Sequence, residues 1–211
     1  MDTTDPPLAD MVAAIRAAPI SGRRRLVALA GPPASGKSTL AASLATDLTS
    51  AGTATVVVPM DGFHLHNRVL RDRHLMDRKG APQTFDVQGL GALVRRLNAE
   101  DEVFFPVFDR ARDIAIAGGG MVGPDCETVV IEGNYLLFDA PGWRTLQAYW
   151  DFSVRLDVPL DALKERLVAR WLAHGLPAAQ AHRRASQNDL ANALLVTGAP
   201  LPADIVVSGW A

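Results

Sequence analysis

The chain has a single cysteine, Cys126, so no intrachain disulfide can form and no cysteine-rich zinc site can be built. Lysine is scarce: only Lys37, Lys79 and Lys164 occur, and arginine carries most of the basic charge. Neither sign of charge dominates, because the formal net charge is −2. The long-range positive field that favours bulk nucleic-acid binding is therefore missing. No apolar run approaches the roughly 18 residues of a membrane helix. Met1 to Asp5 is acidic where a secretory signal needs positive charge, so a reduced, cytoplasmic compartment is expected, with neither membrane nor nucleic acid as partner. Internal repeats and low-complexity tracts are absent as well. What remains is 211 residues, 48% hydrophobic and 21% charged. That composition excludes a disordered or collagen-like chain and suits one domain spanning residues 1–211. A homodimer is compatible with the sequence.

Apolar spacing divides the chain into strands and helices. Leu26 to Ala30, Val56 to Val58, Thr128 to Ile131, Phe152 to Leu156 and Ile205 to Val207 are short apolar runs that suit buried parallel strands. Between them, Leu8 to Ala18, Ser38 to Ser50, Val87 to Leu97, Asp161 to His174 and most of Ala178 to Leu195 carry helical spacing. Val103 to Phe108 reads as a strand despite Pro106. Asp113 to Ala117 and Gly120 to Val122 read as a hairpin around Gly118-Gly119-Gly120. Asp61 to Phe85 is polar, basic and without a clean period. Strands alternating with amphipathic helices predict an α/β fold with a mostly parallel sheet.

The strongest chemical signal is Gly31-Pro32-Pro33-Ala34-Ser35-Gly36-Lys37-Ser38, which fits G-x-x-x-x-G-K-[ST] in full. A buried strand precedes it and an amphipathic helix follows. Glycines let successive backbone N–H groups turn inward onto phosphate oxygens, and the helix N-terminus adds partial positive charge. Gly31, Ala34, Ser35, Gly36, Lys37, Ser38 and Thr39 are the expected nucleotide contacts. Lys37 can reach the β- and γ-phosphates, and the Ser38 hydroxyl can ligate Mg²⁺.

Val56-Val57-Val58-Pro59-Met60 delivers Asp61-Gly62-Phe63-His64 to the carboxyl end of its strand, where ligands bind in doubly wound sheets. An acid there can accept a proton from an attacking hydroxyl. An Asp-Gly turn after a strand explains the same residues equally well. A family resemblance bears on that choice. The P-loop, Asp61-Gly62-Phe63, Arg78-Lys79-Gly80-Ala81-Pro82-Gln83-Thr84-Phe85-Asp86, Pro106-Val107-Phe108-Asp109 and Val129-Val130-Ile131-Glu132-Gly133 occur in this order. In these blocks, from about Arg25 to Val207, the sequence resembles the uridine kinase, phosphoribulokinase and bacterial pantothenate kinase family of P-loop kinases. The Lys79 block looks more like pantothenate kinase. Asp61 to His64 and Glu132 to Leu137 look most like a branch labelled nucleoside kinase or fructose-transport-system kinase.

The resemblance implies a P-loop NTPase three-layer doubly wound sandwich with a small helical lid at about 163–195. It implies ATP and Mg²⁺ as cofactors and a small-molecule hydroxyl acceptor as partner, a sugar first, with nucleoside and pantothenate as alternatives. Asp61 becomes the catalytic base, and Glu132 the acid that holds Mg²⁺ through water beside Ser38. Arg166 and Arg170, one turn apart on a helix, match lid arginines that act with Lys37 on the transferring phosphoryl group. Phe63, His64, Lys79, Phe85, Arg110 and Arg112 are the expected acceptor contacts. Arg183, Arg184, Asn188 and Asn192 either join the lid or face water. Trp150, Trp171 and Trp210 are expected to pack. A P-loop regulator or metallochaperone NTPase is the reading from another class. The Asp61 motif and the Lys79 block argue against it, because an acceptor site is not part of such a protein.

Overall fold

The computed structural model of the protein describes residues 5–208. A five-stranded parallel sheet forms its centre, in the order β2-β5-β1-β6-β7. The strands are β1 (Arg25–Ala30), β2 (Thr55–Pro59), β5 (Thr128–Gly133), β6 (Phe152–Leu156) and β7 (Ile205–Val207). All six residues of β1 and all six of β5 are buried, as a strand covered on both faces requires. Side chains alternate across the sheet. Leu26, Ala28 and Ala30 face one apolar cluster with Leu90, Val94, Tyr135 and Trp143. Val27 and Leu29 face the other, with Met11, Ile15, Leu40 and Leu44. The first layer rests on α4 (Val87–Ala99), the second on α1 (Leu8–Ala17) and α2 (Lys37–Ser50). Fully burying each such leucine or valine stabilises the fold by about 1.5–3 kcal/mol. The result is the α/β arrangement with a parallel sheet that the alternating pattern predicts, in the three layers that the family resemblance implies.

The polar stretch between β2 and α4 is folded on itself. It holds a 3₁₀ turn at Met60–Phe63, the short helix α3 (Asn67–Asp72) and two further 3₁₀ turns at Met76–Arg78 and Pro82–Thr84. Leu65 N–H donates to the Thr84 carbonyl at 2.9 Å and Asp86 N–H to the Phe63 carbonyl at 2.8 Å, which closes the loop. The Asp86 side chain then caps α4 by accepting from Gly89 N–H at 2.8 Å.

The hairpin predicted around Gly118-Gly119-Gly120 does not form. Residues 114–122 make one strand, β4 (Ile114–Val122), antiparallel to β3 (Val103–Asp109). The turn lies earlier, at residues 110–113. Gly119 and Gly120 serve packing and not reversal: a Cβ on Gly120 would stand 2.2 Å from the Phe105 ring, and one on Gly119 2.3 Å from Val107 Cγ2. Pro106 is tolerated because β3 shifts register between Phe105 and Val107 in this two-stranded ribbon.

After β6 come α5 (Leu160–Ala173), α6 (Ala178–Arg184), a π-helical turn at Ala185–Asp189 and α7 (Leu190–Gly198). These pack around a small apolar cluster of their own, Val158, Leu163 and Ala193. Among the described residues, no helix is long and apolar enough to cross a membrane.

Candidate active site

Strand register places the chemistry. Glu132 on β5 stands opposite Leu29 on one side and Pro59 on the other. Gly31 follows the end of β1, and Asp61 lies two residues past the end of β2. The P-loop, Asp61 and Glu132 thus meet at the carboxyl edge of three adjacent strands. They border one cleft of about 610 Å³. Gly62 is required there by a close approach: a Cβ would fall 2.0 Å from the Pro106 carbonyl oxygen of β3.

The loop places its groups inward. Ala34 (φ 62°) and Gly36 (φ 92°) take left-handed conformations. The Lys37 ammonium is buried and donates to the Pro32 carbonyl at 2.8 Å and to Ser35 Oγ at 3.4 Å. Burial lowers its pKa to about 8, opposed by the nearby Glu132 and Asp61 carboxylates. The Ser38 hydroxyl donates to Glu132 Oε1 at 3.2 Å. Burial raises the pKa of Glu132, with Lys37 working against it. A hydroxyl and a carboxylate side by side are the hard oxygen donors that Mg²⁺ favours. An ammonium that forms no ion pair among the described residues suits phosphate oxygens. The residues present therefore fit both ATP and Mg²⁺.

On the other side of the cleft, Asp61 Oδ2 accepts from Arg110 Nη2 at 2.6 Å. The His64 ring lies between Phe85 and Phe108, with centroids 4.1 and 4.6 Å away. His64 Nδ1 contacts the Asp61 carbonyl at 2.8 Å; a carbonyl only accepts, so Nδ1 carries the proton and Nε2 a lone pair. Burial lowers the His64 pKa and favours that neutral form. Lys79 pairs with Asp113 at 2.7 Å.

The cleft wall opposite these groups comes from α5 to α7. Arg170, Trp171, His174, Arg184, Asp189 and Asn192 border it. Trp171 Nε1 donates to Asp189 Oδ2 at 2.5 Å, and the Arg184 and Arg170 guanidinium groups lie 4.5 and 5.6 Å from its ring. These are cation–π distances. Asn188 is buried and donates through Nδ2 to the Lys79 carbonyl at 2.7 Å. Tyr135 Oη donates to the Gly80 carbonyl at 2.6 Å.

Of the predicted contacts, Ala34, Gly36, Lys37, Ser38, Thr39, Asp61, His64, Lys79, Phe85, Arg110, Glu132 and Arg170 border the cleft. Gly31 and Ser35 are buried within the loop. Phe63 packs against the core instead, and Arg112 turns back to Asp109 at 3.8 Å with its side chain 66% exposed. Arg166 is half-buried one turn before Arg170 and does not border the cleft. Trp171 corrects the packing expectation by bordering it. Trp150 does pack, donating to the Leu136 carbonyl at 3.3 Å, and Trp210 lies outside the described residues. Phe108, from the Pro106 to Asp109 motif, also borders the cleft, and so do Asp113, Asp189 and His174, for which the sequence carries no functional signal.

Comparison with known proteins agrees with this geometry. Residues 26–170 match the family model of the Phosphoribulokinase / Uridine kinase family. The Escherichia coli K12 protein named "Uncharacterized protein YggC" is 36% identical over 172 residues, which cover 81% of this chain and 71% of that one. A Schizosaccharomyces pombe protein named "Putative uridine kinase C227.14" is 33% identical over 195 residues, covering 88% and 83%. The crystal structure of a "putative fructose transport system kinase" from Silicibacter sp. TM1040 superposes with a TM-score of 0.93 at 53% identity, covering 98% of this chain and all of that one. The chain therefore belongs to the phosphoribulokinase/uridine kinase family, and it is a phosphotransferase that acts on an alcohol.

Proposed function

We propose that the protein transfers the γ-phosphoryl group of ATP to a hydroxyl of a sugar, with fructose the first acceptor to try. One observation carries the reading: Asp61 faces the same cleft as Lys37, Ser38 and Glu132, on neighbouring strand ends. The sugar comes from the name of the Silicibacter protein, at 53% identity.

In this reading Arg110 orients the Asp61 carboxylate by its 2.6 Å contact to Oδ2 and leaves Oδ1 to the acceptor. The acceptor O–H gives its proton to Asp61 as its oxygen bonds to the γ-phosphorus. The bond from that phosphorus to the β-bridging oxygen breaks, and ADP leaves. Such a transition state is stabilised chiefly by position and charge. Lys37 supplies fixed positive charge from the loop, and Arg170 supplies it from the opposite wall. Arg166, one turn away, backs Arg170 as part of the lid at 163–195. Ser38 and Glu132 would hold Mg²⁺, which when bound neutralises charge on the phosphate oxygens. A cytoplasmic setting accords with ATP as phosphoryl donor.

The test is ADP release with ATP and Mg²⁺ over fructose, other hexoses, uridine, cytidine and pantothenate. Release that depends on fructose or another hexose supports the reading. Release only with uridine or cytidine would replace it with a nucleoside kinase, the reading favoured by the name of the fission-yeast relative.

A further inference from the structure

The cations of the cleft differ in what they are free to do. Lys37, Arg170 and Arg184 have no carboxylate within ion-pairing distance among the described residues, so they remain available to an anion. Lys79 does not. Its ammonium donates to Asn67 Oδ1 at 2.7 Å and to the Asp113 carbonyl at 3.1 Å, and it pairs with Asp113 Oδ1 at 2.7 Å. An ammonium has three N–H groups, and all three are occupied. The side chain is only 8% exposed and sits 5.1 Å over the Phe108 ring. Arg110, the cation in direct contact with Asp61, is neutralised by it.

The polar atoms left open on Asp61 and His64 are hydrogen-bond acceptors, and the wall opposite adds another. Asp61 Oδ1 has no partner among the described residues. His64 Nε2 presents a lone pair, because Nδ1 is committed to the Asp61 carbonyl. Asn192, 1% exposed on the cleft wall, has an Oδ1 without any hydrogen-bond partner. A buried oxygen in that state calls for a donor. Phe85 and Phe108 add apolar faces on either side of His64. Groups that ask for O–H donors beside aromatic faces suit an uncharged polyol. A carboxylate or phosphate there would meet the Asp61 and Asp113 carboxylates, while the two cations in contact with them, Arg110 and Lys79, are already paired, and like charges at close range suppress binding.

We infer that the acceptor is an uncharged, hydroxyl-rich molecule, and that Asp113 enforces this selection by holding the charge of Lys79 away from any substrate anion. The inference rests on the kinase reading and narrows its acceptor. It favours a sugar or nucleoside over pantothenate or a sugar phosphate.

Matched pairs provide the test, because each pair differs in one charged group: panthenol against pantothenate, D-glucitol against D-gluconate, and D-fructose against D-fructose 6-phosphate. kcat/KM is read by ADP release, and ATP binding is titrated separately without acceptor. In every pair that turns over, the neutral member should be preferred by about 10²-fold or more. Asp113→Asn keeps a residue that tolerates the left-handed backbone at position 113 (φ 56°) while releasing the charge of Lys79. It should raise kcat/KM for the anionic member and narrow the ratio by at least about tenfold. Preference for an anionic member by the unaltered protein would overturn the inference while leaving the kinase reading standing. A ratio unmoved by Asp113→Asn would overturn the role of Asp113. Absence of both ATP binding and ADP release would overturn the kinase reading beneath it.

Discussion

Replacing Asp61 by asparagine separates catalysis from binding and from folding. The substitution keeps the shape, removes the proton acceptor and takes the negative charge out of the 2.6 Å pair with Arg110. Two effects are thereby mixed, and the structure sets their sizes apart. The Asp61 and Arg110 side chains are 21% and 56% exposed, so solvent screens the pair. Pairs of that kind contribute about 0.2–1 kcal/mol, or at most about 4 °C of Tm in a chain of this length. A positioned base contributes about 10²–10⁴-fold to kcat, equal to about 2.7–5.4 kcal/mol of barrier. The protein should therefore stay folded, bind ATP nearly as before and lose kcat within that range. Arg110→Gln is the control, because it breaks the same ion pair but leaves the carboxylate. Its kcat should fall by less than about tenfold. Steady-state ADP release gives kcat, calorimetric titration gives ATP affinity, and thermal melting reports the fold. The reasoning fails if Asp61→Asn keeps kcat within tenfold of the unaltered protein, or if ATP binding is lost outright. It also fails if Arg110→Gln costs as much as Asp61→Asn.

Lys37→Ala should abolish turnover and leave the fold intact, as measured by ADP release and circular dichroism; unchanged turnover would remove the P-loop from the mechanism. With its pKa lowered by burial to about 8, the Lys37 ammonium loses its proton as pH rises through that value. ATP affinity should be flat below about pH 8 and fall above it. The ligand-free protein should meanwhile gain stability between about pH 8 and the ordinary lysine value of 10.5, because there the unfolded chain binds the extra proton. A titration of affinity and of Tm across that window checks both signs. If α5 to α7 close as a lid, an ATP analogue should protect the segment around Arg166 and Arg170 from limited proteolysis, and identical cleavage patterns would count against closure.

The parts of the site legible in the sequence are those in which chemistry and spacing are local. The P-loop is one contiguous turn, so its eight residues announce both the bend and the ligand. Asp61 and Glu132 each end an apolar run, and strand ends lie where parallel sheets bind ligands. Lys79 was legible as a site residue but not in its state. What occupies it is Asp113, 34 positions away, across a turn that apolar patterning had placed elsewhere. The three glycines of β4 read as a reversal because glycine signals turns. For Gly119 and Gly120 the actual cause is the bulk of Val107 and Phe105 on the partner strand, a tertiary fact, while Gly118 takes a left-handed φ of 65° within the strand. Trp171 read as packing because tryptophan usually packs. Its place on the cleft wall follows from Asp189 and Arg184, which only the chain reversal after α5 brings to it.

The hydrogen bond from Asn188 to the Lys79 carbonyl joins the π-helical turn to the backbone beside the acceptor. A swing of α6 and α7 away from the cleft must break it. Such a bond contributes about 0.5–1.5 kcal/mol net, which is up to roughly a tenfold change in an opening equilibrium. If α6 and α7 swing in this way, releasing one product and loosening the other's berth would be a single mechanical event. With the Arg78 guanidinium also donating to the Gln187 carbonyl at 3.4 Å, two bonds stitch this turn to the acceptor loop, so if the wall does move, haste and hold would be traded at one seam.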